Sequence, residues 1–280
     1  MRIIKTHSCH SGRMVFYKHL SEALGCEMKF GIYLPPKAEK GELCPVLTYL
    51  AGLTCNEETF FMKGGAVKFA SKHGIILISP DTSPRGIGLE GEDDDWDFGT
   101  GAGFYINATH GIWAENYKME EYITKELQTC IGRIIDFDDS RQGIFGHSMG
   151  GHGALTLGLK YPEIYRSVSA FAPICSPSSC PWGVKAFSAY LGSDRAEWEK
   201  HDATCLIRSL DKSEYKSILV DQGLADEFLE LELKPELLER VCEETGFPLT
   251  LRRHSDYDHS YYFVNTFMQD HIEFHAKFIC

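Results

Sequence analysis

The sequence lacks an excess of basic residues, and it lacks long hydrophobic runs. Its 28 Lys and Arg stand against 40 Asp and Glu, which gives a formal net charge of −12. A surface of this sign repels phosphate groups, so we expect neither nucleic-acid binding nor adsorption to anionic lipid. No apolar run is long enough to span a bilayer, and the opening MRIIKTHSCHSGRM has no hydrophobic segment typical of a signal peptide. We therefore expect a cytoplasmic protein with no membrane partner.

Motifs for disulfides and metals are also missing. The ten cysteines are scattered, without a C-x-x-C pair, so we expect most to be reduced and several to be buried, which fits the cytoplasm. The acidic run Glu90–Asp95 lacks the alternating ligands and glycine of an EF-hand loop, which favours a solvated loop. His271–His275 has its glutamate in the wrong place for a zinc-binding H-E-x-x-H. We expect no metal site.

No internal repeat, low-complexity tract or linker rich in Pro, Gly and Ser divides the chain. Hydrophobic residues make up 43% of it and charged residues 24%, a composition that favours a large core over disorder. The length of 280 residues suits one large α/β unit. We therefore predict a single domain over residues 1–280.

Short apolar runs bounded by turn residues predict the strands. Two amphipathic strands open the chain, at Ile3–His7 and Met14–His19, and a third follows at Met28–Leu34. The later runs, typical of buried parallel strands, are Val46–Ala51, Ile75–Ser79, Gly143–Gly146, Ser167–Phe171, Ser217–Val220 and Leu249–Leu251. Helical patterns lie at Gly65–His73, Met119–Ile131, Met149–Lys160, Pro235–Glu244 and Tyr261–Phe278. This alternation predicts a mostly parallel central sheet with helices on both faces and an antiparallel N-terminal edge.

The segment Gly146-His147-Ser148-Met149-Gly150 matches G-x-S-x-G. In the α/β-hydrolase fold this pattern forms a strained turn between a strand and a helix, which exposes the serine hydroxyl and leaves no room for side chains at the two glycines. An apolar strand end precedes the motif, and a helix with small residues in its first turns follows it. These observations predict the α/β-hydrolase fold with Ser148 as nucleophile. A glycine-rich turn without chemistry is the alternative.

The general base should be a histidine late in the chain, because in this fold the order is serine, acid, histidine. Four later histidines are excluded by their positions: His152, His201, His271 and His275. The last two would form a surface or packing pair on the final helix. His254 ends a predicted strand, whereas His259 lies in the loop after it, at the sheet edge where catalytic groups gather. We predict His259 as the base, with His254 as the alternative.

The acid should follow the strand Ser217–Val220, where the candidates are Asp221, Asp226 and Glu227. Asp221 is still at the strand end, whereas the turn Gly223–Ala225 presents the next aspartate from a loop. We therefore predict Asp226 as the residue that orients the base. A solvated loop carboxylate is the alternative for each of them.

An oxyanion hole requires two backbone N–H groups near the serine. One should belong to Met149, the residue after the nucleophile, and the other to the loop after the third main strand. That loop is Gly52–Asn56, which lacks the H-G-G-G of many esterases. We predict Leu53 as the second donor.

Six separated blocks, in order, resemble the S-formylglutathione hydrolases, the esterase D family. They are Leu50–Cys55, Pro80–Gly86, Trp96–Tyr105, Gly146–Ala154, Cys180–Gly183 and Asp258–Tyr262. The resemblance covers nearly the whole chain, although the loop Gly86–Glu90 departs from the family's pattern. It implies a cytosolic thioesterase of formaldehyde detoxification, active without a cofactor and dimeric, which hydrolyses S-formylglutathione to glutathione and formate, with side activity on short-chain esters.

The resemblance also assigns residues. It places the triad on Ser148, Asp226 and His259, in agreement with the positions reached above, and the oxyanion donors on Leu53 and Met149. It sets Cys55 beside the site as a substrate-contacting thiol. Trp182, in another matching block, is a candidate for lining the acyl pocket, with a purely packing role as the alternative.

Three functions of different kinds remain open at this point. The first is the thioesterase. The second is another reaction on the same scaffold, either an acyltransferase, which would pass the acyl group from Ser148 to an alcohol, or a general short-chain carboxylesterase. A non-catalytic binding module is the third. Such modules usually lose a member of the triad, and this chain has candidates for all three positions.

Overall fold

The computed structural model describes residues 1–210 and 217–280, which build a nine-stranded sheet. The strands are β1 Arg2–Cys9, β2 Gly12–Leu20, β3 Glu27–Leu34, β4 Val46–Leu50, β5 Ile76–Pro80, β6 Gln142–His147, β7 Tyr165–Phe171, β8 Ile218–Gly223 and β9 Leu249–His254. Their order across the sheet is β1-β2-β3-β5-β4-β6-β7-β8-β9. Every predicted strand is present, with ends shifted by at most a few residues.

Strand direction divides the sheet into two parts. The strands β1, β2, β3 and β5 pair antiparallel, and all pairs from β5 through β4 to β9 are parallel. Consecutive strands joined by short turns can pair antiparallel, whereas parallel neighbours need a crossover. The prediction of a mostly parallel sheet with an antiparallel N-terminal edge is therefore confirmed.

Helices fill the crossovers. They are α1 Pro36–Glu39, α2 Thr59–Lys63, α3 Val67–His73, α4 Met119–Glu121, α5 Leu127–Gly132, α6 Met149–Lys160, α7 Pro181–Leu191, α8 Arg195–Glu199, α9 Ala203–Ser209, α10 Pro235–Thr245 and α11 Tyr261–Ile279. Helices α2 and α3 pack with α11, while α9 packs with α6 and α10. Because right-handed crossovers that run in opposite directions along a sheet cover opposite faces, these two groups lie on its two sides. No helix of the described residues is both long and apolar enough to cross a membrane.

The core lies along the parallel strands. Every residue of β4, β5 and β6 is buried, as expected for strands covered on both faces. Strand β1 differs from its prediction as an amphipathic strand, because none of its residues is buried. It lies at the sheet edge with only β2 beside it, so both of its faces stay open.

One helix prediction needs correction, and the packing alternative for a pair of histidines is confirmed. The helix predicted over Met119–Ile131 forms, but a π-helical turn at Tyr122–Glu126 separates α4 from α5. The histidines of α11, predicted as a surface or packing pair, are fully buried at His271 and His275. They hydrogen-bond to hydroxyl groups of β7 and thereby pin the helix to the sheet.

The acidic run is only partly a solvated loop. Glu92 is 2% exposed and accepts hydrogen bonds from the Gly88 N–H (2.7 Å) and the Tyr117 hydroxyl (3.0 Å). Its neighbours at Asp93–Asp95 are exposed, as predicted. The buried carboxylate therefore organises the loop, a role that composition does not reveal. Among the described residues, no group of three His, Cys, Asp or Glu side chains is placed to hold a metal ion.

Candidate active site

Ser148 occupies the turn between β6 and α6. Its backbone has φ 60° and ψ −121°, a strained conformation for a residue with a side chain. The Ser148 N–H donates to the Phe171 carbonyl at 3.0 Å, which fixes the turn to β7. A Cβ at Gly146 would overlap the Gly150 carbonyl, and one at Gly150 would overlap the end of β4. The predicted need for both glycines is confirmed.

His259 and Asp226 meet at the same end of the sheet. The loop after β8 carries the aspartate, and the loop between β9 and α11 carries the histidine. His259 Nδ1 lies 2.6 Å from Asp226 Oδ2. An ionised carboxylate only accepts hydrogen bonds, so Nδ1 carries the proton and Nε2 keeps its lone pair for a proton from elsewhere.

The Asp226 carboxylate is held from several sides. Its side chain is fully buried, and Oδ1 accepts the Phe228 N–H at 2.9 Å. Oδ2 also lies 3.3 Å from the Gln222 amide nitrogen. These donors fix the carboxylate toward the His259 ring.

A narrow cleft of about 160 Å³ connects the proposed nucleophile with its base. It is lined by Gly52, Leu53, Cys55, Trp96, His147, Ser148, Trp182, Phe228, His259 and Tyr261. The Ser148 hydroxyl and the His259 ring face this common space without a direct hydrogen bond within the described structure. Such contacts commonly tighten only when substrate binds. The structure thus brings the three predicted triad residues together.

The loop after β4 lies directly against the serine. Leu50 of β4 pairs with Gly146 of β6, and a Cβ at Gly52 would lie 3.2 Å from Ser148 Cβ. Leu53 follows in the cleft wall. Its N–H and that of Met149 donate to no acceptor within residues 1–210 and 217–280. Leu53 thus lines the same cleft as Ser148, and Met149 directly follows Ser148 in the chain, so both stay the predicted oxyanion donors.

The alternative acid and base lie elsewhere. Asp221 is fully buried and binds the Arg252 guanidinium through both oxygens, at 2.6 and 2.5 Å. Burial alone would raise the pKa of Asp221, but hydrogen bonds from His271 and Arg252 lower it.. His254 stacks on the Phe267 ring at 3.8 Å. Neither Asp221 nor His254 lines the cleft.

Both residues predicted to contact substrate line the cleft. Burial raises the pKa of the Cys55 thiol, so it stays protonated near neutral pH. Trp182 is 7% exposed and packs edge-on against Trp96, with ring centres 5.6 Å apart. It also contacts Phe228 at 4.8 Å. The two alternatives for Trp182 are thus compatible, since the ring packs and lines the cleft at once.

Four lining residues were not predicted from the sequence: Trp96, His147, Phe228 and Tyr261. His147 precedes the serine, and its ring centre lies 4.5 Å from that of His259. Burial, and then the nearby His259, hold the pKa of His147 well below its usual value. The neutral ring adds no charge beside the base. Trp96 and Tyr261 belong to blocks that carry the family resemblance, which was the available signal.

Comparisons with known proteins show the family of this chain. The family model "Esterase: Putative esterase" matches residues 21–274. The chain is 51% identical over 280 residues to the S-formylglutathione hydrolase of Mus musculus, covering 100% of this chain and 99% of that protein. It is 52% identical over 262 residues to that of Arabidopsis thaliana, covering 93% and 92%.

A solved structure gives the same result for the fold. The S-formylglutathione hydrolase from Agrobacterium tumefaciens superposes with a TM-score of 0.96 at 47% identity, covering 100% of both chains. The predicted α/β-hydrolase fold is confirmed.

Proposed function

The chain belongs to the esterase family and, within it, to the S-formylglutathione hydrolases, and we propose that Ser148, His259 and Asp226 perform this hydrolysis. The substrate is S-formylglutathione and the products are glutathione and formate, in formaldehyde detoxification. The observation that carries the proposal is the 2.6 Å contact between His259 Nδ1 and Asp226 Oδ2, in a cleft that also contains Ser148.

The reaction proceeds in two halves. His259 Nε2 takes the proton of Ser148 as the hydroxyl oxygen attacks the formyl carbon, and the carbonyl oxygen becomes an oxyanion held by the N–H groups of Leu53 and Met149. The carbon–sulfur bond breaks, and glutathione leaves with the proton from His259. Water, deprotonated by His259, then attacks the formyl carbon of the Ser148 ester. The bond from that carbon to the Ser148 oxygen breaks, His259 returns the proton to Ser148, and formic acid leaves and ionises to formate.

Asp226 acts through the histidine. Its fully buried carboxylate holds the ring in the tautomer with Nδ1 protonated and stabilises the imidazolium that forms. Cys55, whose pKa is raised by burial, lines the cleft as a bystander thiol that contacts the substrate. Trp182 limits the space for the acyl group.

The size of the cleft supports a short acyl group. A cleft of about 160 Å³ holds only a small acyl group, and we expect clash to exclude chains that exceed it, since one methylene is worth only about 1–3 kcal/mol of discrimination. Contacts to the distant glutathionyl part position the thioester for attack.

The test is kcat/KM for S-formylglutathione beside aryl esters of increasing acyl length, with and without an alcohol acceptor. We expect the formyl thioester to be preferred and free formate to be the product. If kcat/KM for octanoyl or longer esters equals that for S-formylglutathione, the enzyme is a general carboxylesterase and not the proposed thioesterase. If an added alcohol collects the formyl group in preference to water, the chain is an acyltransferase.

The setting of the enzyme belongs to the same proposal. The chain works in the cytoplasm as a single domain over residues 1–280 and as a homodimer. Ten unpaired cysteines suit a reducing compartment, and one continuous hydrophobic core supports a single domain. The homodimer rests on the family resemblance. Light scattering coupled to size-exclusion chromatography would measure the mass, and a monomer would contradict the dimer.

A further inference from the structure

The catalytic cleft is too small for a whole glutathione thioester. Its volume of about 160 Å³ is below the roughly 300 Å³ at which pockets for drug-sized ligands begin. It therefore takes the formyl group and sulfur next to Ser148, and the tripeptide extends outside. At neutral pH that tripeptide carries two carboxylates and one ammonium group, so it is a net anion approaching a protein of charge −12.

One wall of the cleft borders on negative charge. Trp96 is 57% exposed and lies between two aspartates that share a single cation. Lys185 Nζ is 2.8 Å from Asp95 and 2.5 Å from Asp97, which leaves one negative charge in excess. The exposed pair Asp93–Asp94 adds to it. An anionic peptide is repelled from this side.

A different wall of the cleft adjoins a groove that is large enough for the tripeptide. Tyr261 lines both the cleft and a groove of about 780 Å³. The groove is lined by Lys63, Ser260, Tyr261, Tyr262, Asn265 and Thr266, and we call it the Lys63 groove. Tyr261 is thus the residue at which the cleft and the groove adjoin.

Lys63 gives this groove a free positive charge. The residue is exposed at the end of α2, and its Nζ lies 5.9 Å from the centre of the Tyr261 ring. Within the described part of the chain, no carboxylate is within ion-pair distance of it. Its backbone is fixed, because the Asn265 amide donates to the Lys63 carbonyl at 3.2 Å.

The groove also offers exposed aromatic surface. Tyr262 is 86% exposed, although it is only three residues from His259. Its ring offers an apolar face and a polar hydroxyl tip at the surface of the groove.

We propose that the Lys63 groove binds the glutathionyl part of the substrate, with the Lys63 ammonium on one of its carboxylates and the Tyr262 ring against the peptide. The inference rests on the proposed function, because a thioester at Ser148 is what brings the tripeptide to Tyr261. The groove supplies binding energy remote from the reacting carbon, which enhances hydrolysis of the glutathione thioester over that of small neutral esters.

The experiment separates binding from turnover. S-methylglutathione, a thioether that cannot be hydrolysed, is used to inhibit hydrolysis of the neutral ester p-nitrophenyl acetate. We expect Lys63→Gln to raise its inhibition constant about three- to five-fold, the upper part of the range for an exposed ion pair. Lys63→Arg should restore it. The diethyl ester of S-methylglutathione, which lacks both carboxylates, should inhibit wild type and Lys63→Gln equally.

The matched control is Lys68→Gln. Lys68 is another exposed lysine whose Nζ lies 5.9 Å from an aromatic ring, that of Phe69, but it does not line the groove. This variant should leave the inhibition constant of S-methylglutathione unchanged. Equal effects of Lys63→Gln and Lys68→Gln, or no effect of either, would overturn the proposal.

The experiment distinguishes failure of the groove proposal from failure of the proposed function. If wild type hydrolyses S-formylglutathione but its inhibition by S-methylglutathione does not depend on Lys63, the groove is wrong and the function stands. If the thioester is not hydrolysed while Lys63-dependent inhibition is seen, the groove stands and the function falls. Absence of any inhibition by S-methylglutathione overturns the groove.

Discussion

At the residue scale, the proposed chemistry needs a neutral His259 with its proton on Nδ1. Asp226 fixes that tautomer, and His147 places no positive charge beside the His259 ring. Because burial holds the pKa of His147 well below its usual value, its ring remains uncharged when the neighbouring His259 becomes imidazolium. A cation at 4.5 Å would oppose that step, so the residue before the serine is matched to the chemistry.

The assignment of the base is tested by two alanine variants. We expect His259→Ala to lower kcat/KM for S-formylglutathione by about 10⁴-fold or more, because triad members act as a unit. His254→Ala is the matched control, since its ring stacks on Phe267 away from the cleft. It should retain activity within a few-fold. A dead His254→Ala beside an active His259→Ala would reverse the assignment.

The sequence was sufficient for the residues that a motif or the chain order singles out. Ser148 is marked by its glycines, and Asp226 and His259 by their positions after predicted strands. Phe228 carries no such mark, and Tyr261 has only its place in a block of the family resemblance, because both line the cleft only once three loops distant in sequence meet. For the same reason, the buried role of Glu92 depends on Tyr117, which no local pattern connects to it.

At the scale of elements, the turn between β6 and α6 depends on close approach to β4. Gly150 is in the first turn of α6, and a Cβ there would overlap the Leu50 carbonyl. Backbone atoms cannot move aside as a flexible side chain can. The start of α6 can therefore lie this close to the end of β4 only because Gly150 has no Cβ.

Replacing Gly150 with Ala should destabilise the protein by about 1–3 kcal/mol, the usual cost of overpacking, and should also impair turnover by displacing Ser148. The matched control is Gly132→Ala at the end of α5, where a Cβ would meet nothing within 4 Å. That variant should be neutral or slightly stabilising. Urea unfolding midpoints would measure both. Equal midpoints for Gly150→Ala and wild type would contradict the close approach.

Strands and helices were predicted correctly where their apolar residues form a regular pattern or a continuous run. The fully buried strands β4 and β5 read as continuous apolar runs, and α6 and α10 were found nearly to the residue. Helices α8 and α9 were missed because they are short, with five and seven residues. Helix α7 was missed because a proline, a glycine and polar residues interrupt its apolar pattern. The exposure of β1 was missed because its pattern of apolar residues does not show that no helix covers it.

At the scale of the whole molecule, the core contains histidines that are neutral in the folded state. Burial lowers the pKa of His152 to about 4 and holds that of His275 well below its usual value. Nε2 of His152 bonds to the Phe104 carbonyl, while its Nδ1 has no hydrogen-bond partner among the described residues. Both ring nitrogens of His275 bond to hydroxyl groups of β7. In the unfolded chain the same residues titrate near pH 6.5.

This difference predicts acid sensitivity. Below about pH 6.5 the unfolded chain binds protons that the folded state rejects, so the free energy of unfolding falls as the pH is lowered. For His152 alone the loss between pH 7 and pH 5 is about 1–2 kcal/mol. Urea unfolding at the two pH values measures it. A free energy of unfolding that is equal or larger at pH 5 would show that these histidines do not control acid stability.

The most direct test of the proposed chemistry is turnover of S-formylglutathione by Ser148→Ala. The variant removes the attacking oxygen and nothing else, at a position whose backbone is already fixed by the Phe171 carbonyl. We predict a fall in kcat of about 10⁴-fold or more relative to wild type. Near-normal turnover by the purified, folded variant would contradict the assignment of Ser148 as the nucleophile and, with it, the covalent mechanism.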